Sequence, residues 1–138
     1  MELRESSPLQ AHVLVIEDEP SVAQMMVDLL ESDGYAVDTA GNGLVALEKI
    51  SERMYDVILS DLRMPELDGM GLYDALARER PALLPRLIFI TGSMEQPEYR
   101  GFLAGKPAPV IAKPFNLVDL QDAIQHVLDG RQGAAEKA

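Results

Sequence analysis

Glu17 and Asp18 stand side by side in VLVIEDEP, Asp61 in DVILSDLRMP, Thr91 in LIFITGS and Lys113 in VIAKPF. Each follows a short apolar run, so each lies where such a run would end. Three carboxylates gathered in one place repel and raise one another's pKa unless a cation sits among them. A divalent ion with oxygen ligands relieves that repulsion, and Mg2+ suits a carboxylate site that keeps some water, with Mn2+ as an alternative. A carboxylate at such a metal, with an ammonium and a hydroxyl nearby, matches what phosphoryl transfer demands. Metal and lysine neutralise phosphoryl oxygens, the hydroxyl donates to another, and an aspartate can be the nucleophile. Asp61 is the best candidate, because it ends the central run, between the acidic pair and the lysine.

Taken singly, each residue has a plainer use. The Glu17–Glu19 acids precede Pro20 and would favour a helix N-terminus. Asp61 would suit a turn, Thr91 a strand end before Gly92, and Lys113 a solvated loop. Only their convergence points to chemistry, so the elements that position them decide the matter.

Residues 12–17, 35–40, 56–60, 86–91 and 109–112 are short, apolar and β-branched, and helical patterns follow each of them. Val22, Met25, Met26, Leu29 and Leu30 recur at helical spacing after Pro20, which suits a first helical turn, and Asp33-Gly34 ends the pattern. Leu44, Ala46, Leu47 and Ile50 mark a second helix, and Leu72 and Leu76 a third. Leu117, Leu120, Ile124, Val127 and Leu128 share one face of the last, with Asn116 placed as its N-cap and Asp119 three residues on. The fourth helix, within EQPEYRGFLAG, is weak, since Gly101 and Gly105 each disfavour helix by about 1 kcal/mol relative to Ala. Strands alternating with helices imply an α/β fold with a parallel sheet, and ligands of such sheets bind beyond the carboxyl ends of the strands. That edge is where all five polar residues fall. Residues 1–11 read as a flexible leader, 12–129 as the folded domain and 130–138 as a flexible tail.

The composition removes several classes. With no cysteine there is neither disulfide nor thiolate metal site. A formal charge of −11 argues against direct nucleic-acid binding, which needs a basic face. No apolar run approaches a membrane span, so no membrane contact by this segment and a cytoplasmic location are expected. His12, at the start of the first strand, and His126, on the last helix, are placed for structural or solvated roles.

In order and spacing, VLVIEDEP, TAGNGLVAL, DVILSDLRMPELDGMGL, FITGS and VIAKPF resemble the receiver domain of two-component response regulators over about residues 12 to 129. The resemblance implies a flavodoxin-like (βα)5 doubly wound sheet of strand order 2-1-3-4-5. It implies that Asp61 accepts a phosphoryl group from the phosphohistidine of a sensor histidine kinase or a histidine phosphotransfer domain. Asp18 would bind Mg2+ directly, Glu17 directly or through water, and the backbone carbonyl of Arg63 would be a further ligand beside Asp61. Thr91 would hydrogen-bond the phosphoryl oxygen, Lys113 would pair with it, and Pro114 would follow a cis peptide bond. A phosphoacceptor signalling domain rather than an enzyme is implied, as a monomer or weak dimer.

Three departures stand out. Glu17 replaces the family's more usual Asp, Val110 stands where many members carry a switch Tyr or Phe, and GKPAP replaces a small-residue run before the fifth strand. The pattern FITGS…FLAGKPAPVIAKPF looks most like receivers of hybrid histidine kinases or single-domain receivers. Two other readings compete. A metal-dependent phosphatase with an aspartyl nucleophile, as in the haloacid dehalogenase superfamily, needs an Asp two residues after the nucleophile, where this chain has Arg63. A pseudo-receiver would keep the fold as a binding module without the chemistry, yet the reactive positions here are filled. The two Lys-Pro pairs are then unequal: Lys113 belongs to the acidic edge, and Lys106 to the opposite one.

Overall fold

Continuous apolar runs can be strands only if both faces of the sheet are covered, and that is how the chain folds. The computed structural model describes residues 10–92, 97–104 and 108–137. Its strands are β1 (His12–Ile16), β2 (Ala36–Ala40), β3 (Val57–Asp61), β4 (Leu87–Thr91) and β5 (Val110–Ala112). The helices between and after them are α1 (Pro20–Ser32), α2 (Gly43–Glu52), α3 (Gly69–Glu79), α4 (Pro97–Leu103) and α5 (Leu117–Lys137). All strand pairs are parallel, in the order β2-β1-β3-β4-β5, so the expected 2-1-3-4-5 sheet is observed.

Alternation along the strands divides the core in two. Leu14, Ile16, Ile58, Leu87 and Phe89 face α2 and α3, meeting Ala46, Ile50, Leu72 and Leu76. Val13, Val15, Val57, Leu59, Ile88 and Ile90 face the other way, against Met26 and Leu30 of α1 and Leu120, Ile124 and Val127 of α5. β3 and β4 are buried along their whole length, whereas β2 and β5 are edge strands and partly exposed.

Caps fall where the side chains can make them. Asn116 Oδ1 accepts the Asp119 N–H at 2.8 Å, Asn42 Oδ1 accepts that of Val45 at 2.9 Å, and Asp68 Oδ1 that of Gly71 at 2.9 Å. α1 begins at Pro20, and Gly34, just past its end, takes a φ of +94°, open to glycine without steric cost.

Three helix-face placements, those of Met25, Leu44 and Leu117, are corrected, and one further element was not expected. Met25 and Leu44, placed by their spacing on buried faces, are 45% and 53% exposed, because α1 and α2 turn the small Ala23 and Ala46 toward the sheet. A 3-10 helix at Pro81–Arg86, unforeseen, follows α3; Pro81 opens it, Pro85 lies inside it, and Leu83 plugs it into the core. Helical backbone of α5 runs to Lys137, despite the cost of about 1 kcal/mol per interior glycine at Gly130 and Gly133. Leu117, counted on the buried face of α5, is 37% exposed, since it lies in the first turn, outside the buried set of Leu120, Ile124 and Val127. Most of the 1–11 leader and the Lys106-Pro107 pair lie outside the described residues.

Candidate functional site

A parallel sheet delivers every strand end to one edge, and the polar residues singled out by the sequence arrive there together. Asp61 is the last residue of β3 and Thr91 the last of β4; Glu17 and Asp18 directly follow β1, and Lys113 directly follows β5. The register ties them further. Asp61 pairs with Ile90, one residue before Thr91, and the Lys113 N–H donates to the Thr91 carbonyl at 2.8 Å. Glu17 is held by its own N–H, donated to the Ala40 carbonyl at 3.0 Å.

The Lys113 ammonium bridges two carboxylates, at 2.8 Å from Asp61 Oδ2 and 3.2 Å from Glu17 Oε1. The second oxygen of Asp61 accepts the Arg63 N–H at 3.3 Å, and the second of Glu17 accepts the Glu19 N–H at 3.1 Å. Glu17 is 5% and Asp61 8% exposed, while Asp18 is open to solvent. Burial pushes the Glu17 carboxyl above its ordinary pKa, and the Glu19 N–H and Lys113 only partly offset this. Burial pulls the Lys113 ammonium down, but the bonds and charges of Asp61 and Glu17 together outweigh it and leave its pKa raised.

The donor set fits a divalent cation. Glu17, Asp18 and Asp61 each offer an oxygen within 4.8 Å of the others, and a single ammonium leaves two of their negative charges uncompensated. Beside them opens a cleft of 390 Å³ lined by Asp18, Arg63, Met64, Pro65 and Asp68. Arg63, whose backbone carbonyl the resemblance makes a metal ligand, is exposed and lines this cleft. Thr91 is almost wholly buried, at 1% exposure, at the same edge. The Lys113-Pro114 peptide is cis, as anticipated. Val110 is half-buried against the α2/α3 side of the core, with Phe89 as its register partner.

What the residue types did not announce is how the loop after Asp61 is held. Leu67 reaches the start of α2, where its carbonyl accepts the Gly43 N–H at 2.9 Å. Glu66, beside it, takes a φ of +68° in the left-handed region. Met64-Pro65, Asp68-Gly69 and Asn42-Gly43 mark turns in the sequence without saying what they touch.

Comparison with known proteins places this geometry in context. The response regulator receiver domain family matches residues 13–125. The response regulator receiver protein CpdR of Brucella abortus (strain 2308) is 34% identical over 84% of this chain and 95% of its own length. The sensor kinase CckA of the same organism is 35% identical over 86% of this chain, which spans only 13% of that kinase. Among solved structures, the receiver domain of the sensor histidine kinase PA1611 from Pseudomonas aeruginosa PAO1 superposes with a TM-score of 0.77. It is 29% identical over 87% of this chain and 98% of that one, and it carries a magnesium ion coordinated in its active-site cleft.

Proposed function

The chain belongs to the response regulator receiver domain family, phosphoacceptor signalling modules rather than classical enzymes, and from that membership we propose that Asp61 is its phosphoacceptor. The observation that carries this reading is the placement of Asp61: nearly buried at the end of the central strand, with Lys113 Nζ at 2.8 Å, and grouped with Glu17 and Asp18. A carboxylate oxygen of Asp61 forms the new P–O bond as the P–N bond to a donor imidazole breaks, and the imidazole leaves with the electron pair.

Glu17, Asp18, Asp61 and the Arg63 carbonyl would hold Mg2+, which when bound supplies positive charge to the phosphoryl oxygens. Lys113 positions the Asp61 carboxylate, and its charge remains close to the incoming oxygens. Thr91 provides a hydroxyl at the same edge for a phosphoryl oxygen, so phosphorylation of Asp61 would be felt at the end of β4. The Glu17 side chain, one methylene longer than Asp, reaches Lys113 and still accepts a backbone N–H, so the longer arm is accommodated.

The donor is a sensor histidine kinase or a histidine phosphotransfer domain, the receiver spans about residues 12–129, and it works in the cytoplasm as a monomer or weak dimer. Likeness to the kinase CckA and to CpdR supports either a hybrid-kinase receiver or a stand-alone phosphorelay receiver. Among the described residues, no helix is long and apolar enough to cross a membrane. Receiver membership displaces the phosphatase reading, which Arg63 already disfavoured.

The test is direct. With Mg2+ and acetyl phosphate, wild type should acquire an acid-stable, base-labile phosphoryl adduct, and Asp61→Asn should not. Equal labelling of the two, or labelling of neither, would falsify the assignment.

A further inference from the structure

The loop that follows the phosphoacceptor is pinned at each end and once along its length. Gly69 N–H donates to the Leu62 carbonyl at 3.0 Å, and Arg63 N–H to Asp61 Oδ1 at 3.3 Å. At the far end Asp68 caps α3, and just before it the Leu67 carbonyl is held by Gly43 from α2. Three residues separate Arg63 from Leu67, and two of them are stiff: Pro65 has a fixed φ, and Glu66 sits in the left-handed region. A displacement at Leu67 therefore has little slack to dissipate before it reaches Arg63.

Gly43 allows this contact because it has no Cβ. A Cβ there would lie 2.5 Å from the Leu67 carbonyl oxygen and 2.9 Å from its Cβ, closer than real atoms approach. One partner would have to give way. α2 is anchored by the fully buried Ala46 and by Ile50, whereas Arg63, Pro65 and Glu66 of the loop are exposed, so the loop would move. Neighbouring glycines differ. A Cβ on Gly41 meets nothing within 4 Å, and one on Gly71 is nearest to Leu67 Cδ1, the tip of a flexible side chain that can turn aside.

We propose that Gly43 is a positioning residue for the phosphorylation site, its close contact with Leu67 setting where the β3–α3 loop presents the Arg63 backbone beside Asp61. The start of α2 thereby belongs to the working site although it touches none of the reacting atoms. This rests on the receiver reading above, in which that loop contributes to the Mg2+ site.

The experiment compares Gly43→Ala, Gly71→Ala and Gly41→Ala with wild type in the full chain. Mg2+ affinity is read by calorimetric titration, labelling by acetyl phosphate at saturating Mg2+, and folding by circular dichroism and thermal melting. Gly43→Ala should weaken Mg2+ binding about tenfold, as losing a support behind metal ligands does. It should also slow labelling at saturating Mg2+, with Gly71→Ala changing both less and Gly41→Ala neither. If Gly43→Ala only lowers the melting temperature and its folded form binds Mg2+ like wild type, the glycine is merely structural and the proposal fails. Wild type supplies an independent check by NMR: the Gly43 amide resonance should shift on Mg2+ addition with the same midpoint as Arg63. A Gly43 amide that stays still while Arg63 moves overturns the proposal even if the variant does not fold. Wild type that neither binds Mg2+ nor labels overturns the receiver reading together with it.

Discussion

Lys113 bridges two buried carboxylates with one charge, so the pair keeps an excess of negative charge that a further cation would offset. A contrasting pair lies well away from it. The Tyr55 hydroxyl donates to Asp38 Oδ2 at 2.7 Å, and Arg53 Nη1 approaches the same oxygen at 3.1 Å. Burial, followed by the hydrogen bond to Asp38 and its charge, pushes the Tyr55 phenol up to about 12 from its usual 10.0. A raised phenol pKa means that its stabilisation is complete below pH 10.0, where the unfolded phenol is also protonated, and is lost as the pH rises through about 12. Absorbance titration of wild type should therefore contain a phenolate step near pH 12 that Tyr55→Phe lacks. Tyr55→Phe should also be less stable by about 1 kcal/mol, a gap that is constant below pH 10.0 and closes above it. Identical titration curves for the two proteins would contradict this.

At the scale of elements, burial decides what a substitution costs. Phe89, fully buried on β4, meets Phe102 of α4 edge-on at 5.7 Å and Tyr73 of α3 at 6.3 Å between ring centroids. Urea denaturation should show Phe89→Ala losing about 3–5 kcal/mol, since the emptied volume lies between elements that cannot close over it. Asn116→Ala removes one exposed cap of α5 and should cost about 1 kcal/mol. Similar losses for both would mean that β4 is less well packed than these contacts imply. These elements were unequally legible. All five strands could be placed to within a residue at each end, because each is a short apolar, β-branched run bounded by polar or turn residues. The helix faces were harder: spacing marks which residues are apolar, but Met25 and Leu44 show that it does not say which way the helix rolls on its sheet. α4 is seven residues long and contains Gly101, so its own sequence holds it weakly. Phe102, packed on Tyr73 at 5.5 Å, ties it to the core by tertiary contact.

Across the whole molecule, an acidic chain concentrates three carboxylates at one edge, so a metal bound there would be linked to folding. Mg2+ at a hundred times its Kd should stabilise wild type by about 2.7 kcal/mol, read as a rise in thermal midpoint. Asp18→Asn should lose most of that rise. Without metal it should melt no lower than wild type, because it removes a like charge from the cluster. Wild type should therefore melt above Asp18→Asn with Mg2+ but not without it. A wild-type midpoint indifferent to Mg2+ would remove the basis for the metal site.

From sequence alone, the alternation of apolar runs with amphipathic stretches determined a parallel α/β sheet, and the residues after the runs marked the edge where chemistry would lie. Glu17, Asp18, Asp61, Thr91 and Lys113 needed no structure to be picked out, because a parallel sheet sends every strand end to the same side. Tertiary structure alone decided how they meet: that Lys113 spans Glu17 and Asp61, and that Glu17 is buried while its neighbour Asp18 is open. It alone brought Gly43 against Leu67, residues from different strand–helix units. Such contacts follow from how helices seat on a twisted sheet, where distances of a few ångströms depend on the packing of the entire core and leave no periodic trace along the chain.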